Sequence, residues 1–451
     1  MRLYAALFVI GLVIYGVVAW DRVGRQSASP HFVLQADAWL HGRVDIAAPL
    51  KGDDWAQVEA VRLDDGTELR GRRLKSRPAF RALDGAEVPL ARVRQSLGKT
   101  AYVSFPVLPA VLMLPSAALG GRAGNDMIPT LLVAALILPL GLLVLRRLAE
   151  AGLSRRSVRE DLWLVAALAF GSVLLFSAVQ GKVWFTAHVL GVALALVYAW
   201  ASIEAKRPLV AGLALGAAAL TRTPMAFMVP LFLLELWRVA PRKAEGSDRR
   251  DWRALIRPVL TFAAPVVVFA IAGMIYNQIR FGSPTEFGHS YLDVRQQAQI
   301  EQHGLASYKY LARNLAVAFT LLPELLPRAP WVQISGHGLA MWVTTPVLLL
   351  LLWPRERAAI HRTLWITVAC VALPSLIYQN SGWVQFGYRF SLDYLVFLIL
   401  LLAVGGRPLG RIPQALIAIG IAVNLFGAIT FDRQWQYYRV GGGAYETVIA
   451  H

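Results

Sequence analysis

Ile128-Pro-Thr-Leu-Leu-Val-Ala-Ala-Leu-Ile-Leu-Pro-Leu-Gly-Leu-Leu-Val-Leu145 runs without a charged side chain and closes on Arg146-Arg147. A stretch this long and apolar crosses a bilayer as a helix, because intrahelical hydrogen bonds alone satisfy the backbone in hydrocarbon. The same alternation, an apolar run and then a short loop with Arg or Lys, repeats through residues 128–430. Hydrophobic residues make up 57% of the 451 and charged residues 16%. A soluble domain cannot bury so many consecutive apolar side chains. The sequence is therefore read as an all-α polytopic membrane protein.

Apolar spans fall near 3–20, 128–146, 162–179, 183–203, 207–221, 225–238, 257–277, 333–353, 364–378, 387–404 and 412–430, about eleven transmembrane helices. Residues 1–20 are read as a retained first helix, since Val17-Val-Ala-Trp-Asp21 offers no clear small-x-small cleavage site. Several spans carry proline (Pro139, Pro230, Pro265, Pro374), which neighbouring helices in a membrane accommodate.

The net charge of +17 follows the same architecture. Basic residues cluster at Arg146 to Arg159, Lys206/Arg207, Arg238 to Arg257, Arg355 to Arg362 and Arg407/Arg411, the positive-inside pattern of cytoplasmic loops. No aromatic–basic nucleic-acid motif accompanies them, so nucleic acid is not an expected partner. Cys370 is the single cysteine, which excludes an intramolecular disulfide and any cysteine-based metal site.

Between the spans lie a first external loop, 21–127, a second, 278–332, and a polar tail, 431–451. Within the first, 58–93 alternates apolar and polar residues around Asp64-Asp-Gly66 and Leu83-Asp-Gly85, the signature of a small β-hairpin insertion. Amphipathic helices are expected in the rest. The segment 102–119 carries Pro106, Pro109 and Pro115 and is read as interfacial or re-entrant. On that reading Arg2 and the short basic loops are cytoplasmic. The loops at 21–127, 180–182, 222–224, 278–332 and 379–386, and the tail, face outward.

This placement puts the unusual polar residues on one side: Asp37, Asp45, Asp54, Gln180, Lys182, His188, Arg222, Asn277, Arg280, Glu286, His289, Gln379, Asn380, Arg389 and Asp393. Ionisable groups at a membrane boundary are costly and often line a cavity or ligand path, and arginines there suit a phosphate. Two stretches are densest: Asn277-Gln-Ile-Arg280-Phe-Gly-Ser-Pro-Thr-Glu286-Phe-Gly-His289, and Gln379 to Tyr394, where Arg389 and Asp393 share a helix face at i,i+4 spacing and are candidates to pair with each other.

The order of features resembles that of the GT-C-type membrane glycosyltransferases, which include protein O-mannosyltransferases and aminoarabinose transferases. The resemblance rests on the first helix and long external loop, then Tyr102-Val-Ser-Phe-Pro106-Val-Leu-Pro109, the basic helix end Leu145-Arg-Arg, Ala211-Gly-Leu-Ala-Leu-Gly-Ala-Ala-Ala-Leu-Thr-Arg222-Thr-Pro, and Asn277-x-x-Arg-Phe-Gly-Ser-Pro. It implies transfer of a sugar from a polyprenyl-phosphate carrier, outside the cytoplasmic membrane, with inversion at the anomeric carbon and an acidic residue of the first external loop acting on the acceptor. That loop often carries an Asp-Glu pair in the family. The matching stretch, His31 to Arg43, has Asp37 alone.

Displacement at a sugar carbon needs cations on the leaving phosphate and a base on the acceptor. Arg222, Arg280 and Arg389 are the leading candidates for the phosphate, with Lys99 and Lys182 behind them and His188, Asn277, Glu286 and Tyr388 in the surrounding site. Asp37 is the first candidate base and Asp54 the second. His31, His188 and His289 are further hydrogen-bonding groups, but their spacing does not argue for a metal. The implied partners are the bilayer, a lipid-linked sugar donor and a glycan, lipid or protein acceptor. Two rival readings use the same residues: a transporter or flippase of lipid-linked sugars, and a non-catalytic membrane assembly protein whose hairpins bind a partner.

Overall fold

The computed structural model describes residues 1–52, 54–243, 250–294 and 296–441. Of the tail expected over 431–451, the last ten positions lie outside these residues, as does 244–249 in the basic stretch Arg238 to Arg257.

The order of elements is α1 (Arg2–Val18), α2 (His31–Leu40), five strands β1 (Trp55–Leu63), β2 (Glu68–Arg73), β3 (Ala79–Ala82), β4 (Glu87–Pro89) and β5 (Val93–Val103), then α3 (Leu108–Gly120), α4 (Met127–Glu150), α5 (Val158–Ala169), α6 (Leu174–Ala178), α7 (Val183–Ser202), α8 (Pro208–Ala219), α9 (Val229–Val239) and α10 (Arg253–Phe281). After these come α11 (Gln297–His303), α12 (Leu311–Phe319), β6 (Glu324–Leu325), β7 (Val332–Ser335), α13 (Met341–Thr344), α14 (His361–Leu376), α15 (Leu392–Val404), α16 (Arg411–Thr430) and β8 (Tyr438–Arg439).

Helices dominate, but the chain is not all-α. The hairpins expected over 58–93 belong to a larger antiparallel sheet of order β4-β3-β2-β1-β5. Its turns follow from sequence: Asp65 Oδ1 accepts from Thr67 N and Asp84 Oδ1 from Ala86 N, each at 2.9 Å, while Gly66 and Gly85 take φ of 84° and 90°. A second small sheet, β6-β7-β8, joins the end of the second loop to the tail.

Among the described residues, four helices are long and apolar enough to cross a membrane: Met127–Glu150, Val183–Ala205, Arg253–Phe281 and Arg411–Thr430. These four coincide with four of the about eleven spans expected from hydropathy. Other apolar stretches form shorter pieces, such as Arg2–Val18 and Pro208–Ala219. The span expected over 333–353 is broken into β7, α13 and a 3₁₀ turn at Pro346–Leu352. The segment 102–119 is divided between the end of β5 and α3, whose 13 residues reach only about 20 Å.

The helices share two ends. At one, Arg146 meets Asp161 at 2.8 Å, Arg147 pairs with Glu204, and Arg156 donates to the carbonyls of Leu402 and Arg407 at 2.6 and 2.9 Å. At the other, Ser27 binds Asp126, Val183 N donates to Ser29 O at 3.1 Å, and Leu108 N donates to Leu220 O at 2.9 Å. Helix α4, 24 residues long, separates these ends by about 36 Å. Gly212 and Gly216 let α8 pack closely on α10: a Cβ at Gly212 would stand 2.1 Å from the Phe262 carbonyl oxygen. The sheet, the end of α8, the end of α10 and the start of α15 all lie at the second end.

The candidate active site

Thr221 and Arg222 follow the end of α8, and Asp393 lies in the first turn of α15. Arg222 donates from Nε to Asp393 Oδ1 at 2.5 Å and from Nη2 to Oδ2 at 2.9 Å, a fork-to-carboxylate pair. His188, from α7, brings Nδ1 within 3.3 Å of the same Asp393 oxygen. The sequence spacing suggested Arg389 as the partner of Asp393, but Arg222 takes that place. The Asp393 side chain is 1% exposed and that of Arg222 16%, so part of the guanidinium, including an Nη1 outside the fork, remains open.

Arg389 is held by its own loop. Its Nη1 donates to the Gly382 carbonyl, and its backbone N donates to Gln385 Oε1 at 3.0 Å. Gln385 in turn donates to Ser381 O and His337 O. This wrap needs glycine at 382, where φ is 96° and a Cβ would stand 2.6 Å from Gln385 Oε1. Arg389 Nε, the Tyr388 hydroxyl and His188 Nε2 are buried without a hydrogen-bond partner among the described residues. Unpaired buried donors are costly, and these three remain free to meet a ligand group.

The ring of Phe390 is the hub of the site. The guanidinium carbons of Arg222 and Arg389 both lie 5.4 Å from its centroid. The rings of His188, Tyr388 and Tyr378 lie at 5.9, 6.0 and 6.3 Å. Two cations against one aromatic ring gain cation–π attraction in a poorly solvated place. The Asp54 carboxylate, just before β1, acts on Arg389 electrostatically.

Beside this hub lies the turn after α10. Arg280 stacks 4.2 Å over Tyr276 and donates to Val103 O at 2.6 Å and Asn277 Oδ1 at 2.9 Å. Asn277 donates onward to Pro284 O at 3.2 Å, and Glu286 accepts from Gly288 N at 2.6 Å. Arg280, Asn277 and Glu286 thereby fix the turn and weld it to β5. The turn delivers His289, on which both Arg222 and Arg280 act. Desolvation first, and then those two charges, hold its imidazole down at about 4, so it is neutral at pH 7.

Other candidates are placed elsewhere. On α2, Gln35 and Trp39 donate to the Tyr276 hydroxyl at 3.1 and 3.0 Å. Asp37 lies on the opposite face, with His41 at 3.6 Å and Gly121 as neighbours. Lys182 pairs with Asp432 at 2.7 Å. Lys99 is exposed on β5 opposite Glu59. The basic excess of the first loop is largely taken up by pairs such as Arg73–Glu59, Arg72–Glu301 and Arg77–Glu87. Among the described residues no His, Cys, Asp and Glu group is arranged to hold a metal. Phe390, Tyr378 and the role of Asp393 toward Arg222 were not singled out from sequence, because pairs distant along the chain leave no spacing signal.

No family model matches the chain, and no curated protein matches it. Two solved structures are similar to it. One is the oligosaccharyltransferase of Archaeoglobus fulgidus in the apo form, with 11% identity and a TM-score of 0.41, covering 98% of this chain and 57% of that chain. The other is the archaeal oligosaccharyltransferase AglB from Archaeoglobus fulgidus in complex with an inhibitory peptide and a dolichol-phosphate, with 10% identity and a TM-score of 0.42, covering 98% and 56%. The chain spans a little over half the length of each.

Proposed function

We propose that the protein is a membrane glycosyltransferase that moves a sugar from a polyprenyl-phosphate carrier to an acceptor on the external face of the cytoplasmic membrane. The observation that carries this reading is the meeting of Arg222 and Arg389, from separate loops, on the ring of Phe390, with unpaired donors on Arg389, Tyr388 and His188 around them. Positive charge and spare N–H and O–H groups at one end of a bundle of apolar helices suit a phosphate at the head of a lipid.

In the resting protein Asp393 balances Arg222, and Asp54 acts on Arg389. An arriving carrier phosphate binds the open Arg222 Nη1 and the unpaired Arg389 Nε, and competes with Asp54 for Arg389. The displaced Asp54 carboxylate takes the proton from the acceptor hydroxyl or amine. The acceptor atom then bonds to the anomeric carbon as the carbon–oxygen bond to phosphate breaks. The electron pair of that bond leaves on the polyprenyl phosphate, where the two guanidiniums meet the added negative charge. Asp393 keeps Arg222 oriented throughout. Lys99, Lys182 and Asp37 have no part in this scheme.

The test is transfer from a sugar-loaded polyprenyl phosphate by Asp54→Asn protein in lipid nanodiscs. Turnover is expected to fall by at least a hundredfold with carrier affinity unchanged within about threefold, the scale of a lost general base. Asp37→Asn is expected to retain turnover. Full activity in Asp54→Asn, or loss only in Asp37→Asn, would return the base role to α2. Movement of carrier across the membrane without transfer would favour the transporter reading.

A further inference from the structure

Three half-buried rings border the arginines on the side of the second loop. His289 contacts Phe105 at 6.4 Å between ring centroids, edge to face at 75°, and Tyr378 at 6.3 Å and 82°. Tyr378 leads on to Phe390 at 6.3 Å. Phe105 follows β5, His289 follows the turn after α10, and Tyr378 follows α14, so three separate segments converge here. All three residues are partly exposed. Both nitrogens of His289 are without a hydrogen bond among the described residues, although Arg222 and Arg280 both act on the ring.

A wall of aromatic rings with one polar contact is the ordinary make-up of a small-molecule subsite. The imidazole is neutral, so one nitrogen donates and the other accepts. A sugar presents the matching surface: an apolar face of C–H bonds and a rim of hydroxyls that both donate and accept. The site does not resemble a second phosphate site, because a neutral imidazole adds no charge. Nor is it a buried structural histidine like His31, which is 4% exposed and stacks 4.0 Å from Trp55.

We infer that Phe105, His289 and Tyr378 form the subsite for the transferred pyranose or furanose ring, with His289 hydrogen-bonded to a sugar hydroxyl and the aromatic rings packed on its carbon face. This rests on the glycosyltransferase reading above and locates the sugar of the donor within it. His289 is a positioning residue: it orients the anomeric carbon over the phosphate held by Arg222 and Arg389, and it exchanges no proton in the transfer.

The test is protection of His289 from diethyl pyrocarbonate, read by peptide mass mapping on wild-type protein in lipid nanodiscs, with buried His31 and His188 as internal controls. The probes are undecaprenyl phosphate alone and the same carrier bearing a hexose, an N-acetylhexosamine or an aminopentose. Carrier binding is measured in parallel. His289 is expected to react in the unliganded protein and to be protected at least fivefold by one of the loaded carriers, while undecaprenyl phosphate alone binds without protecting it. Equal protection by the bare carrier would make His289 part of the phosphate site and overturn the inference. Binding of the bare carrier with no protection by any loaded form would overturn it and leave the glycosyltransferase reading standing. Failure of every form to bind would overturn both.

Discussion

Asp393 and His31 illustrate how single residues set the chemistry at this end of the molecule. Asp393 is enclosed by helices, and a carboxylate there is tolerable only because Arg222 meets it with two hydrogen bonds. His31 is the reverse case, a titratable ring buried in its uncharged form. Desolvation lowers its pKa from 6.5 to about 4, against a smaller opposing contribution from the Ser29 backbone. Since the unfolded chain takes up a proton near pH 6.5 and the folded chain resists until about 4, stability from this group is complete above the unfolded value and is lost as pH falls between the two. The total is roughly 3 kcal/mol. Thermal unfolding of the detergent-solubilised protein at pH 7 and pH 4.5 is expected to show this loss, and His31→Phe, which keeps the stack on Trp55, is expected to flatten it. Parallel wild-type and variant profiles would contradict the assignment. The sequence marked His31 as a residue of interest, but not that Trp55, more than twenty positions away, would cover its ring.

At the scale of elements, one buried carboxylate ties the sheet to the second loop, beside the exposed Lys75–Asp293 pair and the Ala56–Leu292 bridge. Glu301, on α11, accepts from Arg72 Nη1 at 2.6 Å and from the backbone N–H groups of Ser76 and Lys75 at 2.8 and 3.1 Å. Its side chain is 3% exposed and that of Arg72 8%. Removing one partner strands the other charge, so Glu301→Ala is expected to cost about 3–5 kcal/mol and to expose the β2–β3 connection to protease. Unchanged unfolding and unchanged cleavage would show that the pair contributes little. Asp54, just before β1 of the same sheet, acts electrostatically on Arg389. The elements themselves were partly legible. Asp-Asp-Gly and Leu-Asp-Gly announced turns, and the alternation around them announced strands, because turn chemistry and period-two patterning are local. The partner strand β5 was not legible: Val93–Val103 pairs with β1 across the intervening hairpins, and its exposed middle, Arg94 to Lys99, lacks a buried face. The stretch 333–353 misled for the opposite reason. Its composition is apolar enough for a span, but Pro346 and the pairing of β7 with β6 and β8 break it.

For the whole molecule, the alternation of apolar runs and basic loops identified a membrane protein, and the positive loops do gather at one end of the long helices. The number of spans was not readable from hydropathy alone, since several apolar runs fold as short helices joined by turns. Residues 54, 222, 289, 378 and 389 come together at the other end. In sealed right-side-out vesicles, an impermeant amine reagent is expected to label Lys99 and Lys309, both exposed, and to leave Lys206 unlabelled until the vesicles are opened. Labelling of Lys206 from outside with Lys99 protected would invert the topology. The central claim is that a lipid phosphate sits between the Arg222 and Arg389 guanidiniums, and titration of undecaprenyl phosphate into nanodisc-embedded protein tests it most directly. Arg222→Ala and Arg389→Ala are each expected to weaken binding at least tenfold, about 1.4 kcal/mol, while Lys182→Ala leaves it unchanged. Wild-type affinity in both arginine variants, with the proteins folded, would contradict the account.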